Sequence, residues 1–254
     1  MIASSFSHRV FASVLAVGLA AASADAGLIH RYSFNDGTAR DSVGKVDGAL
    51  KGAARITDGK LVLENGEKTS TDEKLSYLEF SGSVLPKGGS VTLMVWLTGK
   101  ESPAFARILD IGDKNGTEGE AFIYLTPRHD SDQTKAAITA TDTGSKAFVD
   151  GPRLDDGKAH MAAIVIDGAT KKLHLFIDGK ETGPAADLGD NTLEAVHPVH
   201  NWIGKSAFEA DPGLTASIDE FRVYNEALGA DEIGVIYKAG ADTLPPSAPG
   251  ATGK

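Results

Sequence analysis

The chain has 254 residues, no cysteine and a formal net charge of −10. Without cysteine, disulfides, zinc–thiolate sites and cysteine nucleophiles are excluded. The acidic balance repels nucleic-acid phosphates, and no polybasic patch is present to hold an anionic membrane surface.

Residues 1–26 read as a secretory signal. His8 and Arg9 form a short n-region, residues 11–22 (FASVLAVGLAAA) an apolar stretch, and Ala24-Asp25-Ala26 a small-x-small cleavage site. The apolar stretch is short for a membrane span, so no span is expected after cleavage; an uncleaved anchor is the alternative. This reading sends the protein to a secreted, periplasmic or cell-envelope location. The remaining chain is long enough for one β domain with its own core, placed at residues 27–240.

Gly is abundant at 29 residues, and short alternating runs recur between turn signals. That pattern predicts an all-β antiparallel sandwich. Strands are expected at 28–34, 60–63, 76–80, 91–98, 107–111, 121–125, 136–140, 161–166, 173–177, 200–203 and 218–224. In the 91–98 strand, Val91, Leu93, Val95 and Leu97 share one face and Thr92, Met94, Trp96 and Thr98 the other. Large apolar groups on both faces predict a central strand covered on both sides. Asp178-Gly179 suits a type I′ turn, which needs positive φ twice. Residues 229–238 read as one short helix. Asp231 and Glu232 favour its first turn, and Ile233, Ile236 and Tyr237 form its packing stripe. From residue 241 the chain turns to Pro, Gly, Ser and Ala, and a disordered tail is expected at 241–254.

Three segments carry a family resemblance. Residues 201–233 begin N-W-I-G-K-S, then run through S-I-D-E-F-R-V-Y-N-E-A-L into the helix. The meander at 163–180 reads A-I-V-I-D-G-A-T-K-K-L-H-L-F-I-D-G-K, and the opening at 30–44 contains H-R-Y-S-F-N-D-G and D-S-V-G. Together they resemble the laminin-G-like domains of the concanavalin A-like lectin/glucanase superfamily. The resemblance implies a jelly roll with one short C-terminal helix, and a first strand paired with the last. It also implies one structural Ca²⁺, held by Asp36 and Asp41 after the first strand and Asp219 on the last. Several oxygen ligands suit Ca²⁺, though three carboxylates need backbone or water oxygens to complete the set. The alternatives stay open: Asp36 and Asp41 as turn residues, Asp219 as a partner of backbone amides. Glu220, on the opposite face from Asp219, is expected at the surface beside Arg222.

For catalysis the residues offer little. E-x-D-x-x-E, the sialidase Asp-box and G-x-S-x-G are absent, and the His residues lack zinc spacing. The acidic run at 110–118 reads as a solvated hairpin loop. Both Trp96 and Trp202 are expected in the core. If the concave sheet carries a groove, fold-level analogy assigns Trp96, Arg107, Asp110 and Asn201 to ligand binding. The expected function is a non-catalytic binding module for polysaccharide or an extracellular protein. Two rivals are a glycan-degrading enzyme and a structural envelope protein without a small ligand.

Overall fold

The computed structural model describes residues 27–140 and 146–245. The signal read at residues 1–26 and most of the expected tail lie outside the described residues. Among the described residues no helix is long and apolar enough to cross a membrane.

The strands in chain order are β1 (Leu28–Tyr32), β2 (Gly48–Lys51), β3 (Arg55–Thr57), β4 (Lys60–Leu63), β5 (Tyr77–Phe80), β6 (Val91–Gly99), β7 (Leu109–Asn115) and β8 (Glu118–Thr126). Next come β9 (Thr134–Thr139), β10 (Ala147–Gly151), β11 (Ala159–Asp167), β12 (Lys172–Ile177), β13 (Lys180–Glu181), β14 (Ala186–Asp187), β15 (His200–Ile203) and β16 (Ala216–Tyr224). One helix follows, α1 (Ala230–Ala239).

These strands form two antiparallel sheets packed as a sandwich. The first runs β13-β12-β11-β6-β16-β4-β3, with β1 also on β16 and β14 on β12. The second runs β10-β9-β8-β7-β15-β5-β2. β6 is central as expected, lying between β11 and β16. β1 pairs with β16, as the resemblance implies. The inward residues of both sheets, such as Leu93, Val95, Ile111, Ile123, Ile164 and Phe221, make the main core. The Asp178–Gly179 turn has φ of 51° and 76°, both in the left-handed region that a type I′ turn needs.

The outward face of the first sheet has its own apolar layer. Met94, Trp96, Met161, Phe176 and Tyr224 pack beneath Leu228, Ile233 and Ile236 of the C-terminal return. Tyr237, the third residue of the expected stripe, is instead 40% exposed. Thr92 fixes the path into α1, because its Oγ1 donates to Glu226 O (2.8 Å) and accepts from Leu228 N–H (3.0 Å). The Glu232 carboxylate caps the start by accepting from Gly229 N–H (2.8 Å). Gly240, at φ 86°, ends the helix in a backbone conformation that glycine alone adopts readily.

A buried charge cluster joins the first and last strands. A bulge between Ile218 and Glu220 turns Glu220 onto the outward face. Glu220 is fully buried there, a correction to the surface position expected for it. It accepts from Arg31 (Nε, 2.7 Å), from Arg222 Nε, and from Asp242 N–H (2.5 Å). Arg222 Nη2 donates to Thr243 O (3.1 Å). Asp242 and Thr243, assigned to a loose tail, are thus bound to the sheet, since they satisfy buried groups on Glu220 and Arg222.

Candidate ligand-binding face

Alternation along the second sheet decides its outward face. Leu78, Phe80, Leu109, Ile111, Ile123, Leu125 and Ile203 point into the core. Their neighbours Tyr77, Glu79, Asp110, Phe122, Tyr124, His200 and Trp202 therefore point outward. Register brings them side by side: Trp202 lies opposite Glu79 on one neighbour and Asp110 on the other, and Asp110 opposite Tyr124.

At one end of this face Trp202 is half-buried and meets Tyr77 edge-on, with centroids 6.2 Å apart and planes at 76°. Its other neighbour, His200, stacks at 4.3 Å. The indole N–H donates to Glu79 Oε1 (3.2 Å). Lys205 Nζ lies 4.6 Å from the Tyr77 centroid and 4.8 Å from that of Trp202. This aromatic corner opens onto a cavity of about 320 Å³, also lined by Ser70, Asp72, Lys114 and Glu209. Two loops make its walls and are tied together. Ser70 N–H donates to Asp211 O (3.0 Å), and Ser206 N–H to Ser70 Oγ (3.2 Å). Two ion pairs lie beside the cavity, Lys51 with Glu79 (2.8 Å) and Lys114 with Glu209 (3.1 Å). The Lys51 hydrogen bond holds the Glu79 carboxyl below its usual range. Burial, then the charge of Lys114, lowers the Lys205 ammonium.

The middle of the face is filled. Arg107 lies 4.2 Å over the Tyr124 ring and 5.9 Å from the Phe208 centroid, with Asp211 at 3.1 Å and Asp110 at 3.6 Å. Asp110 is fully buried, bonding His200 Nε2 (2.8 Å) and Ala207 N–H (3.1 Å). Burial pushes the Tyr124 phenol up to about 12 and also raises the Asp211 carboxyl. These groups are a buried polar network that seats the 204–213 loop on the sheet.

The residues assigned to a groove separate accordingly. Arg107 and Asp110 come together on this face but are buried, so they support the site from beneath. Asn201 turns inward, because it alternates with the outward His200 and Trp202 on either side of it. It bonds Val84 N–H (3.3 Å) and Pro198 O (3.0 Å). Trp96 belongs to the other sheet, under α1, with Arg222 4.6 Å over its ring. Only its edge reaches a cleft of about 390 Å³ beside His160 and Asp219. Trp202, expected in the core, is the tryptophan at the cavity. Its alternation with Ile203 is the signal that could have placed it there.

The three carboxylates assigned to Ca²⁺ do not form one cation site. Asp41 is saturated: Oδ1 accepts from the N–H groups of Arg31, Val43 and Gly44, and Oδ2 from Val46 N–H and His30. Asp36 is used within its own turn by Thr38 (2.7 and 2.9 Å). Asp219 pairs with Lys60 (2.8 Å). No group of three or more His, Asp or Glu among the described residues is arranged to hold a metal ion. The internal donors do the neutralising that a cation would otherwise supply.

The family profile Laminin_G_3, described as the concanavalin A-like lectin/glucanases superfamily, matches residues 72–234, more than half of the chain. The chain belongs to this superfamily. No curated protein matches the sequence. Solved structures share the jelly-roll fold of this superfamily member. Domain 4 of AbnA, a GH43 extracellular arabinanase from Geobacillus stearothermophilus solved with arabinotriose, is similar at 20% identity and TM-score 0.61, covering 82% of this chain and 97% of that one. The receptor binding domain of botulinum neurotoxin D is similar at 10% identity and TM-score 0.64, covering 85% of this chain and 53% of that one. Trypanosoma rangeli sialidase is similar at 15% identity and TM-score 0.61, covering 83% of this chain and 32% of that one. The superfamily member thus spans about half of the neurotoxin domain and a third of the sialidase.

Proposed function

We propose that this chain is an exported, non-catalytic module that binds carbohydrate on the outward face of its seven-stranded sheet. The observation that carries this reading is the Trp202–Tyr77 corner at an open cavity rimmed by hydroxyl, carboxylate and ammonium groups. Sugars present apolar C–H faces ringed by hydroxyls, so they suit apolar ring surface beside fixed polar groups. Export is supported by the pattern of residues 1–26. The AbnA domain, solved with arabinotriose, gives the same fold a saccharide ligand. The neurotoxin receptor binding domains give it a receptor, and an extracellular protein is the runner-up partner. The non-catalytic part of the reading is supported by the pairing of the carboxylates nearest the aromatic corner, Glu79 beside Trp202 with Lys51 and Glu209 at the cavity with Lys114. No cation is assigned a role.

The test is titration of the full chain with a panel of soluble oligosaccharides. Binding without loss of polymer length, abolished in Trp202→Ala, is the expected result. Saturable binding only to a protein would establish the runner-up, and no binding to either would leave a structural protein. Release of reducing ends by wild type, abolished by a single Asp or Glu substitution, would instead establish hydrolysis.

A further inference from the structure

The three lysines near the Trp202 corner are not equivalent. Lys51 is paired with Glu79 and Lys114 with Glu209. Lys205 makes no ion pair among the described residues; its neighbours are the rings of Tyr77 and Trp202. It is partly buried, whereas Lys45, Lys74, Lys87, Lys100 and Lys180, which also lack ion pairs, are exposed. Water can solvate those exposed lysines fully. At Lys205 the rings take up part of the solvation shell, and ring quadrupoles compensate a cation incompletely.

Position adds direction to this imbalance. Lys205 follows directly on β15 and Gly204, so its backbone is set by the sheet and by the partly buried Ser206–Asp211 bond (2.7 Å). Lys205 lines the cavity that Trp202 and Tyr77 line. Asp72 and Glu73 also border the cavity, but both are exposed and lie on the opposite loop. A ligand group reaching the aromatic corner therefore meets a cation without an ion-pair partner, beside two carboxylates, Glu79 and Glu209, that are already neutralised.

We infer that Lys205 is a specificity residue for an anionic substituent, a carboxylate or sulfate ester, on the bound glycan. The inference rests on the carbohydrate-binding reading and names the class of glycan. A ligand oxygen replaces the missing partner of the ammonium while the sugar ring lies against the Trp202–Tyr77 corner. The result is one charge-assisted hydrogen bond in a partly desolvated setting, where such bonds are strongest.

The experiment is calorimetric titration of the full chain with matched probes: oligogalacturonate against its methyl ester, and a sulfated galactan oligosaccharide against its desulfated form. The acidic member of at least one pair is expected to bind about tenfold more tightly at low salt. The advantage should shrink as salt is added. Which pair shows it separates a uronate from a sulfate. In Lys205→Met the two members of the pair should bind equally, and Lys205→Arg should restore the difference, which excludes misfolding as the cause. Equal binding of charged and neutral members to wild type, or a preference that survives Lys205→Met, overturns the inference and leaves the carbohydrate reading standing. If no probe binds, and Trp202→Ala is indistinguishable from wild type, both fall together.

Discussion

The two tryptophans occupy comparable places on opposite sides of the sandwich. Each is an outward residue of an interior strand, and each has a cation over its ring: Arg222 over Trp96 and Lys205 over Trp202. Trp96 is 7% exposed because α1 returns over it, and its cation is neutralised by the fully buried Glu220. Trp202 has no helix above it, and its cation has no carboxylate in ion-pair contact among the described residues. The strand pattern is the same in both cases. What separates a core tryptophan from a contact tryptophan is whether a later segment, here the return after β16 into α1, packs over the strand.

The largest expected effect tests the closed side. Glu220→Ala leaves the fully buried Arg222 and the partly buried Arg31 without their carboxylate and should cost about 3–5 kcal/mol in denaturant unfolding. The same group gives a pH signature. Its burial opposes ionisation, but hydrogen bonds from Arg31 and Arg222 win and lower the folded carboxyl below its ordinary 4.5. A lowered folded value means the stabilisation is present above pH 4.5 and drains as pH falls through the folded value. Acid titration of stability should therefore be flatter in Glu220→Gln than in wild type. An unchanged slope would show that the cluster is not ionised.

Exchanging the two tryptophans sharpens the contrast. Trp96→Ala should destabilise by about 3–5 kcal/mol and leave glycan affinity intact in the protein that remains folded. Trp202→Ala should shift stability by about 1 kcal/mol or less and remove most of the affinity, at least about tenfold by calorimetry. Equal stability losses at both positions would erase the distinction between the faces.

Smaller effects belong to the acidic residues. Asp41→Ala strips several backbone N–H groups of their acceptor and should cost about 2 kcal/mol. Burial opposes ionisation of Asp41, but His30 and those N–H groups together lower its folded carboxyl. Its contribution is thus present above the ordinary 3.8 and lost as pH falls through the folded value. Asp219→Ala, which removes a partly exposed pair, should change stability by about 0.5 kcal/mol or less. The melting temperature should be the same in Ca²⁺ and in EGTA. A rise with Ca²⁺ that Asp219→Ala abolishes would restore the cation site.

The fold is legible because its signals are local and repeated. Val91–Thr98 shows a doubly apolar strand, Asp178-Gly179 a type I′ turn, and residues 229–238 a capped amphipathic helix. The strands that the alternation does not announce, β2, β3, β10, β13 and β14, are short or at edges, where Gly and charge blur the pattern. The site is harder to read, because it depends on which donors reach a given carboxylate first. Asp41 looks like a ligand in sequence, yet the turn that follows it supplies N–H groups to both oxygens. Asn201 and Trp202 adjoin, so one residue of register decides which of them faces out. Glu79, Tyr77 and Lys205 come from two distant segments, and no spacing in the chain announces their meeting.

The attachment of Asp242 and Thr243 to Glu220, Arg31 and Arg222 has a mechanical consequence. Tension applied beyond residue 245 meets these hydrogen bonds before it reaches α1 or the sheet. They would give way in succession, as a strap peels from an anchored end. Only then would load pass to the helix that keeps Trp96 dry. The sandwich is thereby shielded from a pull at that end by a sacrificial fastening.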